Sequence, residues 1–73
     1  MYKEYYALMQ EESGKRKYIS RDDKTVLTDN IKEALYFFSE NHISVWEKIN
    51  PTIKNTIPVK IIDDGEHIYA VEI

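Results

Sequence analysis

Potential cation ligands cluster in residues 63–67, where Asp63, Asp64, Glu66 and His67 surround one glycine. Hard cations such as Ca²⁺ bind clustered carboxylates. The same segment contains Asp-Gly, however, which is typical of a tight turn, and successive strand residues point to opposite faces. Glu66 and His67 would therefore not converge on one ion, and we expect no metal site.

The side chains for nucleophilic catalysis are present, since the chain has four serines and two histidines besides its carboxylates. No spacing brings a nucleophile, a base and an orienting group together, and no catalytic signature occurs. A domain of 73 residues also rarely forms the pocket that a small substrate requires. We therefore expect a protein that is not an enzyme and needs no cofactor.

Tyrosine is the unusual residue of this sequence, with six copies in 73 positions. Tyrosine gives large, stiff contact area with a polar tip, and it is enriched where proteins bind one another. A core this small cannot bury all six rings. The surplus predicts contact with another macromolecule.

A basic and aromatic cluster supports a different possibility. Lys15, Arg16 and Lys17 precede Tyr18, a combination that could contact phosphates and stack on a base. Residues 1–27 carry a formal charge of +1 and residues 28–73 carry −4, which gives −3 overall. Because an acidic balance disfavours nucleic-acid binding, a nucleic-acid-binding regulator is the alternative hypothesis.

The order of elements predicts an α+β fold, β-β-α-(α)-β-β, with an antiparallel sheet packed on one or two helices. We expect one domain over residues 1–73. Alternating residues around Ser13 and Gly14 indicate a hairpin in residues 1–20, and a helical segment should occupy residues 29–50. A second hairpin should occupy residues 57–73 around the Asp-Gly pair.

The helical segment has a capping signal and an apolar stripe. Asn30 with Glu33 three residues later resembles a capping box, so a helix should begin near Asp29. The stripe positions are Ile31, Ala34, Leu35 and Phe38. On this wheel Tyr36 points into solvent. The apolar residues from Ile43 to Ile49 should form a shorter second helix that ends at Asn50, before Pro51, or a kinked continuation of the first, with Trp46 in the core.

Period-two alternation assigns faces in the second hairpin. It predicts that the odd-numbered residues share one buried face, namely Ile57, Val59, Ile61, Tyr69, Val71 and Ile73. One of Tyr5 and Tyr6 should be buried on the same grounds.

The chain has no cysteine, which favours a reducing compartment, and it shows no apolar stretch of membrane-spanning length. We therefore expect a cytoplasmic protein with no membrane contact.

The tyrosine-containing first strand, the return strand around Tyr18 and Ile19, and the segment from Thr28 to Phe38 resemble small accessory proteins of phages and prophages of low-GC Gram-positive bacteria. The Lys-, Glu-, Asn- and Ile-rich composition is similar too. The resemblance covers about residues 4–40. It implies a viral protein acting as an inhibitor of a host or defence enzyme, the class that includes anti-CRISPR proteins, and it transfers no functional residue.

These observations favour a non-enzymatic module that occludes a surface of a larger protein. The contact residues would be Tyr36 and Tyr6 with the acidic positions Asp29, Glu33 and Glu40, since tyrosines supply burial and carboxylates supply orientation. A homo-oligomer that buries an open sheet edge and its tyrosines against a second copy is a third hypothesis.

Overall fold

The computed structural model describes residues 2–49 and 55–73. Its elements run along the chain as β1 (Lys3–Glu12), β2 (Lys15–Ile19), β3 (Leu27–Thr28), a 3-10 helix (Ile31–Glu33), α1 (Glu40–Ile49), β4 (Ile57–Asp63) and β5 (Ile68–Glu72). The strands form one antiparallel sheet in the order β3-β2-β1-β4-β5. This architecture confirms the predicted α+β fold class.

Both predicted hairpins are present, the first with a two-residue loop and the second with a four-residue loop, residues 64–67. Glu12 pairs with Lys15 across Ser13 and Gly14, whose φ angles of 54° and 79° are those of the turn that matches strand twist. In the second hairpin Asp64 donates its backbone N–H to the His67 carbonyl at 3.1 Å, across a loop that contains Gly65 with φ 96°. These turns set the registers of both strand pairs.

The register of the second hairpin corrects one face assignment. Ile61 pairs with Ala70 and Asp63 pairs with Ile68, so the even-numbered residues of β5 share the buried face of Val59 and Ile61. Tyr69 and Val71 therefore lie on the opposite face, and the prediction that they face inward was wrong. The reason is that the loop is centred between Gly65 and Glu66, which pairs odd positions with even ones.

The predicted long helix from Asp29 is also wrong, although its first turn exists. The Asn30 side chain accepts a hydrogen bond from the Lys32 backbone N–H, as expected of a cap, but only Ile31–Glu33 are helical. Ala34 is extended, with φ −69° and ψ 147°. The capping signal therefore marked a 3-10 turn.

The segment 34–37 lies extended between β1 and β2. Leu35 donates its N–H to the Ile19 carbonyl at 2.8 Å, and Phe37 exchanges two hydrogen bonds with Tyr6, at 2.7 and 2.9 Å. Alternate side chains enter opposite sides of the sheet: Ala34 and Tyr36 on one side, Leu35 and Phe37 on the other. A short apolar run fits a helix or a strand equally well, and burial on both sides favours the strand-like form at this position.

Helix α1 matches the predicted second helix. Ser39 precedes it, and the Ser39 hydroxyl and carbonyl accept hydrogen bonds from the backbone N–H groups of His42 and Ile43 at 3.4 Å. The predicted helix end at Asn50 lies outside the described residues.

The sheet is buried on both faces over its centre. The inner core comprises Ala7, Met9, Tyr18, Ala34, Val59 and Ile61. The helix-side core comprises Leu8, Ile19, Phe37 and Ile43, with Trp46 packed beside it. The sheet curls strongly around the inner core. The evidence is that the Arg16 side chain of β2 reaches the Ala70 carbonyl of β5 at 3.4 Å, although β1 and β4 lie between these two strands. The helix-side face is therefore the outward face of the curled sheet.

Candidate protein-binding surface

The six tyrosines divide between the two faces of the sheet. Tyr18 is buried, with 6% exposure, and Tyr5 and Tyr36 pack against the inner core. On the outward face Tyr6 is half-buried beside the helix-side core, and Tyr2 and Tyr69 are exposed by 62% and 46%. The surplus predicted from the sequence therefore lies on the outward face of β1, β4 and β5.

Tyr36 is not the exposed helical residue that the sequence predicted. Its ring stacks on Tyr5 with centroids 4.8 Å apart and planes 8° apart, and its hydroxyl donates to the Ile31 carbonyl at 2.7 Å. Burial and the nearby Asp63 carboxylate raise the pKa of Tyr36. The extended backbone at this position turns the ring onto the inner core.

The predicted acidic partners of Tyr36 do not share a helix face. Asp29 lies in the loop before the 3-10 helix, Glu33 ends that helix, and Glu40 begins α1. The Glu33 carboxylate accepts a 3.4 Å hydrogen bond from the Thr28 hydroxyl. Since the long helix does not form, the structure places these carboxylates on three separate segments.

The exposed tyrosines belong to a surface that we call the tyrosine surface, which comprises Tyr2, Glu4, Tyr6, Lys60, Ile62, Tyr69 and Val71. The strand registers arrange it in rows. Ile62 of β4 lies between Glu4 of β1 and Tyr69 of β5, and Lys60 lies between Tyr6 and Val71 in the next row. Every second residue of a strand shares a face, so this arrangement follows from the two hairpin registers.

A network of polar contacts holds the tyrosine surface in place. The Lys60 Nζ is 3.1 Å from the Glu4 Oε1 and 5.9 Å from the centroid of the Tyr6 ring. The hydrogen bond from Lys60 and a second one from Tyr2 lower the pKa of Glu4. The same contacts with Glu4 raise the pKa values of Lys60 and Tyr2. The two charges neutralise each other between the rings.

A second exposed apolar region runs along α1. The helix stripe, as we call it, consists of Phe38, His42, Val45 and Ile49, and its three apolar members are exposed by 82%, 56% and 70%. The Phe38 and His42 rings meet edge to face at 6.5 Å. A groove of about 350 Å³ lies beside the stripe, with Phe37 and Trp46 in its wall. The predicted burial of Phe38 is therefore wrong.

The basic cluster proposed for nucleic-acid contact is divided by the sheet. Tyr18 is buried and offers no ring for stacking on a base. Arg16 forms an ion pair with Glu11 at 3.0 Å and also contacts the Ala70 carbonyl. Lys15 and Lys17 alternate with Arg16 along β2 and point to the other face. The four predicted residues thus do not form one basic and aromatic patch.

The acidic turn uses its carboxylates to hold the backbone. Asp63 accepts a 2.9 Å hydrogen bond from the Gly65 N–H, and Asp64 accepts from the N–H groups of Glu66 and His67 at 2.9 and 2.6 Å. These bonds, that from His67 first, lower the pKa of Asp64. Within residues 2–49 and 55–73 no three His, Cys, Asp or Glu side chains are grouped as they would be to hold a metal ion.

The serine hydroxyls with defined partners serve local backbone structure. Ser20 accepts from the N–H groups of Asp22 and Asp23 at 3.2 and 3.3 Å. Ser44 donates to the Glu40 carbonyl at 3.4 Å, one helical turn back. These contacts are those of loop and helix residues, and they give none of these hydroxyls a histidine as a base.

Comparisons with models of protein families, with curated proteins and with solved structures give no match for this chain. Over the described residues, no helix has the length and apolar character needed to cross a lipid bilayer. The function of the site therefore has to follow from its own geometry.

Sequence reasoning missed Tyr2, Glu4, Lys60 and Tyr69. A usable signal was present, because a loop centred between Gly65 and Glu66 fixes which β5 residues face outward. The β1–β4 pairing could not be found this way, since it joins segments about fifty residues apart with no turn between them.

Proposed function

We propose that this chain is a non-enzymatic protein-binding module that contacts a larger protein through the tyrosine surface. The supporting observation is the grouping of Tyr2, Tyr6 and Tyr69 on the outward face around one internally neutralised Lys–Glu pair. Tyrosine is among the residues that dominate binding energy at protein interfaces.

The polar network makes this surface suitable for burial. An unpaired charge is costly to remove from water, whereas the Lys60 and Glu4 charges already satisfy each other. The Tyr2 hydroxyl is likewise engaged with Glu4. Fewer side chains must be ordered when a partner covers such a surface, and the attraction within the ion pair offsets part of its desolvation, so more of the buried area contributes to affinity.

The outward curvature of the sheet indicates the shape of the partner. A convex surface fits a groove or cleft on a larger protein, and a module of this kind acts by blocking access to that cleft. The resemblance to phage accessory proteins would make the partner a host or defence enzyme. Inhibition would then be stoichiometric, with no turnover by this chain.

The test is a binding titration with a partner captured from the native host's lysate. Tyr69→Ala should weaken affinity at least about tenfold, equivalent to about 1.4 kcal/mol, because it removes an exposed ring of the tyrosine surface. Phe38→Ala is the matched control, since it removes a more exposed ring outside the tyrosine surface. Equal losses for the two variants, with both folded by circular dichroism, would overturn the proposal.

A further inference from the structure

Helix α1 carries two adjacent apolar rows, and the sheet covers only one of them. Ile43 is buried in the helix-side core and Trp46 packs against it. Within α1, His42, Val45 and Ile49 follow at i, i+3 and i+7, so they run along the helix beside that buried row. Phe38 lies two residues before α1, and its ring extends the stripe by meeting His42 edge to face. Contiguous exposed apolar surface of this kind marks an interaction site in a soluble protein.

We propose that the helix stripe binds a second copy of this chain, with the two α1 helices packed antiparallel about a two-fold axis. In this arrangement Phe38 of one copy faces Ile49 of the other, and His42 faces Val45. The stripe of each copy covers the stripe of the other, so the same surface is buried on both chains, as a two-fold interface requires. This inference is independent of the tyrosine surface.

The charges around the stripe fit a second copy. At 100° per residue, Asn41 and Lys48 border the stripe on its solvent side, whereas Glu40 and Glu47 lie on the far side of the helix. The two-fold axis places Lys48 of one copy near Asn41 of the other. No like charges meet, and the acidic groups stay in water despite the net charge of −3.

The available area sets the strength of the contact. Phe38, Val45 and Ile49 together expose roughly 350 Å² per chain, given the size of aromatic and aliphatic side chains. Two chains would thus bury roughly 700 Å² of these side chains, and the groove walls and polar border add to this area, so the contact belongs to the small, weak class of interfaces. We therefore expect a reversible dimer whose population rises with concentration.

Sedimentation velocity over a concentration series tests the dimer with a matched pair of variants. Val45→Glu should shift the chain to monomer, because it places a carboxylate within the apolar contact. Val26→Glu is the control, since Val26 is exposed to a similar extent, 47% against 56%, and lies before β3. A native chain that stays monomeric at the highest attainable concentration would overturn the proposal, and so would equal effects of the two variants.

A cysteine version gives an answer even if Val45→Glu fails to fold. The chain has no cysteine, so a single introduced thiol can react only with its counterpart. Val45→Cys lies close to the proposed two-fold axis and should form a covalent dimer under mild oxidation at least about tenfold faster than Val26→Cys, because proximity raises the effective concentration. Equal rates contradict the proposal. Tyr69→Ala should leave the dimer intact, which separates this test from that of partner binding.

Discussion

At the scale of single residues, Tyr36 shows how one ring can join two parts of the chain. It stacks on Tyr5 of β1, while its hydroxyl binds the Ile31 carbonyl of the 3-10 helix. Stacked aromatic pairs contribute beyond the area they bury, and a hydrogen bond from a half-buried hydroxyl adds to that. We therefore assign Tyr36 to stability.

Substitution of Tyr36 should separate these two contributions. Tyr36→Phe should lower the free energy of unfolding by about 1 kcal/mol through the lost hydrogen bond. Tyr36→Ala should lower it by about 2–3 kcal/mol, because the stack and its burial are lost as well. Urea unfolding followed by the fluorescence of Trp46, the single tryptophan, measures both. Native-like stability of Tyr36→Ala would contradict this stabilising role of the ring.

At the scale of elements, the extended segment 34–37 fills the space where β1 and β2 separate. The β1–β2 pairing extends only to Met9 and Tyr18, and beyond this point the segment bonds to Ile19 on one side and Tyr6 on the other. It links the two strands and supplies side chains to both cores. The short extended run therefore contributes to both faces of the sheet.

Hydrogen exchange should reveal the alternation of this segment. The amides of Leu35 and Phe37 donate to carbonyls of β2 and β1, so they should exchange at rates close to those of the central strands. A helix would instead protect consecutive amides through bonds to residues four positions earlier. Rapid exchange at Leu35 and Phe37, measured by NMR, would rule out the extended arrangement.

A side chain from β2 covers part of the open edge of β5, where another strand could otherwise pair. Arg16 donates to the Ala70 carbonyl and holds Glu11 by an ion pair, so it occupies hydrogen-bonding capacity that another strand could use. Arg16→Ala should increase intermolecular β-association, measured by thioflavin fluorescence, while stability changes little because the ion pair is exposed. Lys17→Ala, on the opposite face of the same strand, is the control and should leave association unchanged.

At the scale of the whole molecule, carboxylates that hold backbone and side-chain donors link stability to pH. The bonds from Thr25 lower the pKa of Asp23 below its ordinary value of 3.8, and those in the second hairpin do the same for Asp64. Lys60 and Tyr2 lower the pKa of Glu4 below 4.5. A carboxyl with a lowered folded pKa stabilises fully above its unfolded pKa, and this stabilisation is lost as the pH falls through the folded value.

We therefore expect the free energy of unfolding to fall steadily as the pH drops below about 4.5. Asp64→Asn keeps an acceptor for the turn but cannot titrate. Its stability deficit relative to the native chain should be largest near neutral pH and should shrink in acid. A deficit that stays constant across this range in parallel urea titrations would show that Asp64 does not contribute to the loss of stability at low pH.

Local signals in the sequence were sufficient for much of the fold, and non-local ones were not. The Ser13-Gly14 and Asp64-Gly65 pairs located both hairpins because each turn depends on its own residues. Residues 34–38 were assigned wrongly because their conformation depends on bonds to Tyr6 and Ile19, which the local sequence does not encode. The tyrosine surface was missed for the same reason, since it forms only when β4 pairs with β1.

The pairing of β1 with β4 also has a consequence for how the chain folds in time. Lys3 pairs with Asp63, so this pairing joins residues that are almost the whole chain apart, whereas each hairpin pairs residues that are close in sequence. Closing such a long loop is entropically costly and slows folding. During synthesis the first hairpin leaves the ribosome well before β4. Until β4 emerges, the edge of β1 that pairs with β4 in the folded protein stays unpaired.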